Sequence, residues 1–500
     1  MVRAGASLAA LAASMALVAA PARADTLQEA LTRAYLNNPT LEAARAQQRA
    51  TDEGVAVEKS AGRPSVNANG SLTEFIQQSS TSFFTPDRAF NTGIDLGVPI
   101  YSGGAVKNAV RAAEERVEAG RADLRGTESA IFSQVVAAYM DVLRNQAIVG
   151  LNANQVDVLT INAEATSDRF EIGDLTRTDV AQSESRLALA RSDLQSAQAN
   201  LIAARENYIA LVGEVPTDLQ PPPPLPGLPE TVVTAVEVAL ENNPDLIAAI
   251  ERAEAADFDI EVAGSGRLPR VSVFTGYDYQ NFLGSVPGAL LDPEDPTGPV
   301  IASPQTSTAA QAGISFTLPI FQGGRPAALQ RQAQARAAAA LENVIAAERD
   351  VIAQVRSAWS SWQAALAIIQ SSQVAVEAAE LSLEGVRAEN SIGNRTVLDV
   401  LNAEQELLTA RVQLVTARRN AYVAGFSLLA AMGRAEARDL GFLGEGQLYD
   451  PIANYDRVEG AWWDWQRDPD PVTVTTSTAD TPPQTAEIDE VEEFGPEVDY

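Results

Sequence analysis

Carboxylates are the most numerous chemically active side chains of this 500-residue chain, which contains 66 acidic and 36 basic residues but no histidine and no cysteine. The absence of imidazole and thiol groups removes the commonest general bases, thiol nucleophiles and soft metal ligands. The sequence also lacks a glycine-rich phosphate loop after a strand and a serine nucleophile elbow. Adjacent acids such as Glu114 and Glu115 lie in charge-rich helical sequence, where a solvated face explains them. We therefore predict that the protein is not an enzyme and needs no cofactor or metal.

The net charge of -30 disfavours nucleic acids and other anionic surfaces as partners. The first 24 residues predict a secretory signal, with Arg3, an apolar run from Leu8 to Ala20, and a small-residue cleavage site before Asp25. The alternative is an uncleaved membrane anchor, but the apolar run is short for a bilayer crossing. Without cysteine there are no disulfides and no lipid-modified thiol.

The elements that would position any functional residue occur twice along the chain, in the same order. The repeated motifs are an Asn-Pro pair (38–39 and 243–244), a Pro-Ile-aromatic-X-Gly-Gly segment (99–104 and 319–324), and an Ile-Gly turn followed by Asp-Val (172–180 and 392–400). Proline disfavours helix at the preceding residue, so the first motif predicts a broken helix. Each copy is therefore predicted to contain a broken helix, two short strands and two long helices.

The duplication divides the chain into five parts. These are a signal peptide (1–24), a first repeat (25–215), a proline-rich linker (216–229), a second repeat (230–443) and a C-terminal segment (444–500). From Asp464 onward the C-terminal segment has eleven acidic residues and one basic residue, which predicts disorder. Trp462, Trp463 and Trp465 precede this tail, either as an interfacial belt or as part of a segment packed against the helical body. We favour the packed segment.

Four segments of about ten residues alternate apolar and polar side chains with a period of two, which predicts strands. They lie at 65–72, 90–98, 271–279 and 310–318. Their length and alternation match membrane-crossing strands of a barrel, although a soluble antiparallel sheet with one wet face has the same pattern. No run of about 18 apolar residues follows the signal, so a membrane crossing has to use these strands. Residues 77–88 and 284–308 are predicted to be surface loops.

Residues 103–170 and 323–390 predict two very long helices, because no strong helix breaker interrupts either stretch. Nearly seventy residues at 1.5 Å each extend on the order of 100 Å, several times the thickness of a bilayer core. Apolar residues also recur every seven positions, which predicts coiled-coil packing. One such column contains Val180, Leu187, Leu194, Leu201 and Tyr208.

Four strands cannot close a barrel, and open sheet edges in lipid cost several kcal/mol for each unpaired group. Chains therefore have to combine: two copies give eight strands and three give twelve. Because an eight-stranded barrel is filled by its own side chains, we favour three copies for a conduit.

Up to about residue 443, the mature chain resembles the TolC-like outer membrane efflux proteins. The resemblance rests on the duplication, the Asn-Pro breaks, the Gly-Gly strand exits and the segment Ile392-Gly393-Asn394-Arg395-Thr396-Val397-Leu398-Asp399-Val400-Leu401-Asn402-Ala403-Glu404. It implies an α+β membrane protein with duplicated halves. In such a protein, each chain contributes four transmembrane strands to a trimeric 12-stranded barrel, which continues as a long α-helical coiled-coil periplasmic barrel.

The implied function is a passive exit duct of a tripartite efflux or type I secretion system in the outer membrane. The implied partners are two further copies of the chain, outer membrane lipid, a periplasmic adaptor and an inner membrane transporter of the ABC, RND or MFS type. The alternative is a periplasmic coiled-coil adaptor or scaffold, but the sequence shows no lipoyl-like domain and no anchor of the kind that adaptors use.

In this family, acidic residues ring the closed periplasmic end. The matching positions are Asp399 and Asn402, where the family often has a second aspartate. Residues three apart share a helix face, so three-fold symmetry would gather three Asp399 carboxylates, favouring cations and letting divalent ions plug the pore. The alternative is that Asp399 only caps its helix. The tip turns at Gly173 and Gly393 are implied to meet the adaptor.

The resemblance also implies a gate latch in which Arg395 reaches Thr178 and Asp179 of the other copy's turn. An exposed pair of this kind contributes only about 0–1 kcal/mol, so it can break during opening. Asn390 stands where the family pattern has a tyrosine of this latch. The alternative is that Arg395 is an ordinary surface charge.

Overall fold

The computed structural model describes residues 25–77, 86–286, 289–290, 301–302 and 304–488. The predicted signal peptide and residues 489–500 of the acidic tail lie outside these ranges. The first copy consists of α1 (Leu27–Asn37), α2 (Pro39–Ser60), β1 (Ser65–Glu74), β2 (Arg88–Tyr101), α3 (Ala105–Glu171) and α4 (Arg177–Val212). The second consists of α5 (Val232–Asn242), α6 (Pro244–Gly264), β3 (Arg270–Asn281), β4 (Ala289–Leu290), β5 (Ile301–Ala302), β6 (Thr306–Thr317), α7 (Arg325–Ser391) and α8 (Val397–Ala431). Two short helices follow, α9 (Ala437–Leu440) and α10 (Pro451–Glu459).

The predicted order of elements is present in both copies, with one addition. The segment predicted as a loop at 284–308 contains the short antiparallel pair β4–β5, in which Ala289 pairs with Ala302. Two residues per strand are too few to give a detectable alternation of side chains, so the sequence pattern could not predict this pair.

The predicted helix breaks have the same construction in both copies. Asn38 caps α2, because its Oδ1 accepts the backbone N–H of Thr40 at 2.9 Å. Its Nδ2 donates to the carbonyl of Leu211 near the end of α4, also at 2.9 Å. Asn243 repeats both contacts, and its Nδ2 donates to the carbonyl of Ala431 at 2.9 Å. Each break is thus tied to the end of the second long helix of its own copy.

The four long strands form one antiparallel sheet in the order β1-β2-β3-β6, so β1 and β6 are its edges. Directly paired residues point to the same face, and the register places apolar residues opposite one another. Rows on this face include Val66–Leu96–Thr275–Ala312 and Ala68–Ile94–Tyr277–Ala310. The opposite face carries rows such as Asn67–Asp95–Gly276–Gln311 and Ser71–Asn91–Gln280–Ser307. The predicted alternation therefore continues across all four strands and separates an apolar face from a polar face.

A glycine pair ends each hairpin and starts the following long helix. Gly103 and Gly104 have φ values of 66° and 84°, and the second copy repeats this with Gly323 and Gly324. The left-handed region is costly for residues with a Cβ atom, so glycine is needed at these sharp turns. This explains why the Gly-Gly motif recurs where strand changes to helix.

The helices α3 and α7 contain 67 residues each and extend away from the sheet. Their main core lies near the helix breaks, where Phe132, Tyr139 and Tyr208 are buried. The proline-rich linker packs onto this core through the buried side chain of Leu219. Across the described ranges, none of the helices combines the length and the apolar character that crossing a membrane requires.

The helix α10 of the C-terminal segment packs against the first copy. Asn454 donates to Asp52 at 2.8 Å, and Lys59 pairs with Glu459 at 2.7 Å, which holds α10 along α2. The three tryptophans that follow were expected to pack with this segment, but their side chains are largely exposed. Residues 464–488 contain no helix or strand, although Arg205 of α4 donates to the carbonyl of Glu487 at 2.9 Å.

Candidate gate at the helical tips

Each long helical hairpin ends in the same exposed turn. Gly173 and Gly393 have φ values of 86° and 82°, and each donates its N–H to the carbonyl three residues earlier, at 2.9 Å and 3.0 Å. The next residue in each turn bonds five residues back, which completes a Schellman-type helix end. The predicted tip turns are therefore present, and their contact with an adaptor stays a prediction.

The candidate pore residue Asp399 forms a capping box with Thr396. Its Oδ2 accepts the Thr396 hydroxyl at 2.7 Å and the Thr396 backbone N–H at 2.9 Å. These hydrogen bonds lower the pKa of Asp399, chiefly through the hydroxyl of Thr396, so the carboxylate is anionic at neutral pH. Asp179 makes the same box with Thr176. The capping role is observed, and the ring of three Asp399 carboxylates stays a prediction.

Within this chain the candidate latch residue Arg395 pairs with an acid of its own turn. Its Nε lies 2.7 Å from Oε2 of Glu389, and this contact raises the pKa of Arg395. Asn390 supports the same turn, because its Nδ2 donates to the carbonyl of Arg395 at 2.8 Å. Among the described ion pairs, Arg395 is not joined to Asp179, and no hydrogen bond joins it to Thr178. The latch between the two turns stays a prediction.

A buried carboxylate that the sequence analysis did not single out joins three helices near the tips. Glu404 of α8 is only 3% exposed. Asn162 of α3 donates from Nδ2 to both of its oxygens, at 2.9 Å and 3.1 Å. Arg387 of α7 donates to Oε1 at 3.1 Å. The Glu404 carboxylate thus has its counter-charge, Arg387, in its own copy and a hydrogen-bond donor, Asn162, in the other copy.

The other candidate pore residue, Asn402, makes a second connection between the copies. Its Oδ1 accepts Nη2 of Arg186 on α4 at 2.8 Å. Beside these polar contacts, Leu159 and Ala190 of the first copy pack on buried Leu401 of the second. At 1.5 Å per residue, these contacts lie roughly 6–20 Å from the helix ends. The two helical hairpins are thus joined just behind their tips.

One sequence pattern could have indicated Glu404. Val397, Leu401 and Leu408 follow the four-three-four spacing of a coiled-coil seam, and Glu404 occupies the remaining seam position. A charge at such a position requires a partner across the seam. The partners themselves belong to helices distant in sequence, so spacing alone could not identify Asn162.

Acidic groups also meet between α3 and α6. Glu115 was assigned to a solvated face, but oxygens of Glu115, Glu251 and Glu254 lie within 4.8 Å of one another. Partial burial, followed by the hydrogen bond from Glu115, raises the pKa of Glu251 to about 7. Glu251 is therefore partly protonated near neutral pH.

Both repeats match a known family model. The model described as "Outer membrane efflux protein" matches residues 30–214 and 235–434. The outer membrane efflux protein BepC of Brucella suis is 32% identical over 442 residues, covering 88% of this chain and 92% of that protein. The outer membrane protein TolC of Vibrio cholerae is 25% identical over 421 residues, covering 83% and 92%.

The fold agrees with the sequence comparisons. The crystal structure of the Campylobacter jejuni CmeC outer membrane channel superposes with a TM-score of 0.69 at 17% identity, covering 87% of this chain and 89% of that one. The expected architecture of a four-stranded sheet continued by long helices is therefore confirmed, and so is an outer membrane channel that extends into the periplasm. The alternative of a periplasmic adaptor or scaffold does not agree with these matches. The chain belongs to the outer membrane efflux protein family.

Proposed function

We propose that three copies of this chain close a 12-stranded barrel in the outer membrane and continue it as a helical tunnel through the periplasm. The observation that carries this proposal is the sheet, which has one apolar face, one polar face, and edges at β1 and β6. Pairing β6 of one copy with β1 of the next satisfies both edges. The apolar face then meets lipid, and the polar face lines a water-filled passage.

The tunnel is gated where the two helical hairpins are joined. Opening the tip separates α7 and α8 from α3 and α4, so it breaks the hydrogen bonds from Asn162 to Glu404 and from Arg186 to Asn402. The pair between Arg387 and Glu404 lies within the second copy and is able to move with it. Glu404 thus keeps a counter-charge in both states, which limits the cost of opening.

The exposed tip turns at Gly173 and Gly393 contact a periplasmic adaptor, which links the duct to an inner membrane transporter. The duct performs no chemistry, and the transporter supplies the energy. Small toxic compounds and type I secreted proteins are both suitable cargo for such a passage. Deletion of the gene, followed by a drug-susceptibility profile and a secretome, assigns the cargo.

Disulfide cross-linking tests the closed barrel. Because the chain has no cysteine of its own, only the introduced cysteines can form disulfides. Ser71→Cys in β1 is combined with single cysteines along the polar face of β6, and the outer membrane fraction is oxidised. A covalent trimer on a denaturing gel is the expected product. A cysteine pair in β2 and β3, Asn91→Cys with Gln280→Cys, is the control, since these paired residues cross-link only within one chain.

Covalent dimers without trimers, or no intermolecular product at any β6 position, would contradict the three-copy barrel. Planar bilayer recordings on the same protein provide the functional readout. The reconstituted wild type is expected to form cation-preferring channels, because the lumen and the tip carry carboxylates such as Asp95 and Asp399.

A further inference from the structure

Three of the five tryptophans of the chain lie within four residues, on the loop 460–468 that follows α10. We call this segment the tryptophan loop. The side chains of Trp462, Trp463 and Trp465 are 61%, 68% and 84% exposed. The other two tryptophans, Trp359 and Trp362, pack edge to face on α7. A concentrated apolar surface of this kind indicates a binding partner.

The structure fixes the tryptophan loop at both ends. At its start, Arg63 donates from Nη1 to the carbonyl of Ala461, and its guanidinium lies 5.4 Å from the ring centre of Trp462. At its end, both terminal nitrogens of Arg457 lie 2.9 Å from the carboxylate oxygens of Asp468. Between them, a turn closes through the hydrogen bond from Gln466 N–H to the carbonyl of Trp463 at 3.1 Å. The tryptophans are therefore held outward by a built loop.

The position of the loop is defined by its contact with the start of the sheet. Arg63 precedes the first residue of β1, Ser65, by two positions. The preceding helix α10 lies along α2, and its last residue Glu459 pairs with Lys59 at 2.7 Å. The loop thus lies at the level where the helical body ends and the sheet begins. In an outer membrane channel, this level is the boundary between membrane and periplasm.

We propose that the tryptophan loop anchors the channel in the phospholipid headgroup layer of the outer membrane leaflet that faces the periplasm. Indole side chains favour this layer, because their rings are apolar and their N–H groups still find hydrogen-bond acceptors. The loop and its supports carry balanced charges, with Arg63, Arg457 and Arg467 near Asp464, Asp468 and Asp470. Binding of the loop to this layer therefore requires only zwitterionic headgroups and no anionic lipid. The inference rests on the proposed placement of the sheet in the membrane.

Fluorescence quenching by brominated lipid tests this anchor in the full-length trimer. Wild-type protein is reconstituted into phosphatidylcholine vesicles with or without bromine on the upper part of the acyl chains. Because three of the five tryptophans are in the loop, quenching is expected to remove up to about three fifths of the emission. The triple variant Trp462→Phe, Trp463→Phe, Trp465→Phe keeps only Trp359 and Trp362 and is expected to lose little. Bromines placed deeper in the chains are expected to quench less.

Several results would overturn the anchor. Equal fractional quenching of wild type and triple variant would do so, as would loop tryptophans quenched by aqueous acrylamide but not by brominated lipid. Loop tryptophans shielded from both quenchers would instead indicate a neighbouring copy of the chain as occupant. A several-fold increase of quenching on adding anionic phosphatidylglycerol would point to a basic patch and also contradict the proposal.

Recording channel conductance on the same vesicles separates this inference from the proposed function. Conducting trimers without loop-specific quenching would reject the anchor and leave the channel intact. Protein that neither forms trimers nor conducts would reject the proposed function itself. Arg63→Ala releases one end of the loop and is expected to reduce loop-specific quenching while conductance persists.

Discussion

The hydrogen bond between Asn162 and Glu404 is the sharpest test of the proposed gate. Asn162→Ala removes the amide that reaches both carboxylate oxygens, at 2.9 Å and 3.1 Å. A hydrogen bond to a charged group contributes about 1.5–3 kcal/mol. Taking about 1.5 kcal/mol per copy, and three copies that open together, the closed state loses about 4.5 kcal/mol. At about 1.4 kcal/mol for each factor of ten, the ratio of open to closed channels rises on the order of a thousandfold.

Single-channel recording in planar bilayers at fixed voltage and salt measures this ratio directly. The matched control is Asn152→Ala, because Asn152 is also a buried asparagine of α3, and its Nδ2 donates to the carbonyl of Ile148 within the same helix. We expect the control to retain the resting conductance of the wild type. If Asn162→Ala also rested at the wild-type conductance while its trimers remained intact, the gate would not depend on this contact and the reasoning would be refuted.

Three further predictions concern Asp399 at the tip, Asn38 at a helix break and the buried carboxyl group of Glu128. Asp399→Ala is expected to weaken divalent-cation block of single-channel current, whereas unchanged block would reject the ring of carboxylates. Asn38→Ala loses a helix cap and the bond to Leu211, about 1 kcal/mol each, so its unfolding temperature should fall below that of the neighbouring control Asn37→Ala. Burial raises the pKa of Glu128 from 4.5 to about 7. The contribution of its neutral carboxyl group to the free energy of unfolding is therefore fully present below pH 4.5 and is lost as pH rises through about 7. The loss is at most about 3 kcal/mol per copy. Glu128→Gln stays neutral and still accepts the N–H of Ala437, so the wild type should lose more thermal stability than this variant between pH 5 and pH 8.

Local sequence signals predicted the features that depend on neighbouring residues. The Asn-Pro pairs fix helix starts, the Gly-Gly pairs fix sharp turns, and alternation assigns the two faces of the sheet. The contacts across helices were not predictable in the same way. Asn162 and Glu404 are 242 residues apart, and only the packing of α3 against α8 brings them together. Likewise, the exposure of the tryptophans depends on where α10 lies along α2.

The two copies of the duplication differ at the contacts behind the tips, where the proposed gate lies. A constant offset of 220 residues relates the two hairpins, so Glu404 corresponds to Glu184, which is exposed on α4. Arg186 corresponds to Glu406, a residue of opposite charge, and Arg395 corresponds to Leu175. Within this chain an identical carboxylate is therefore buried in the second copy, where Glu404 of α8 packs against α3, and exposed in the first. Glu404 keeps its counter-ion Arg387 whichever hairpin moves, so separating the two hairpins strands no buried charge, and this is why we place the gate at this contact.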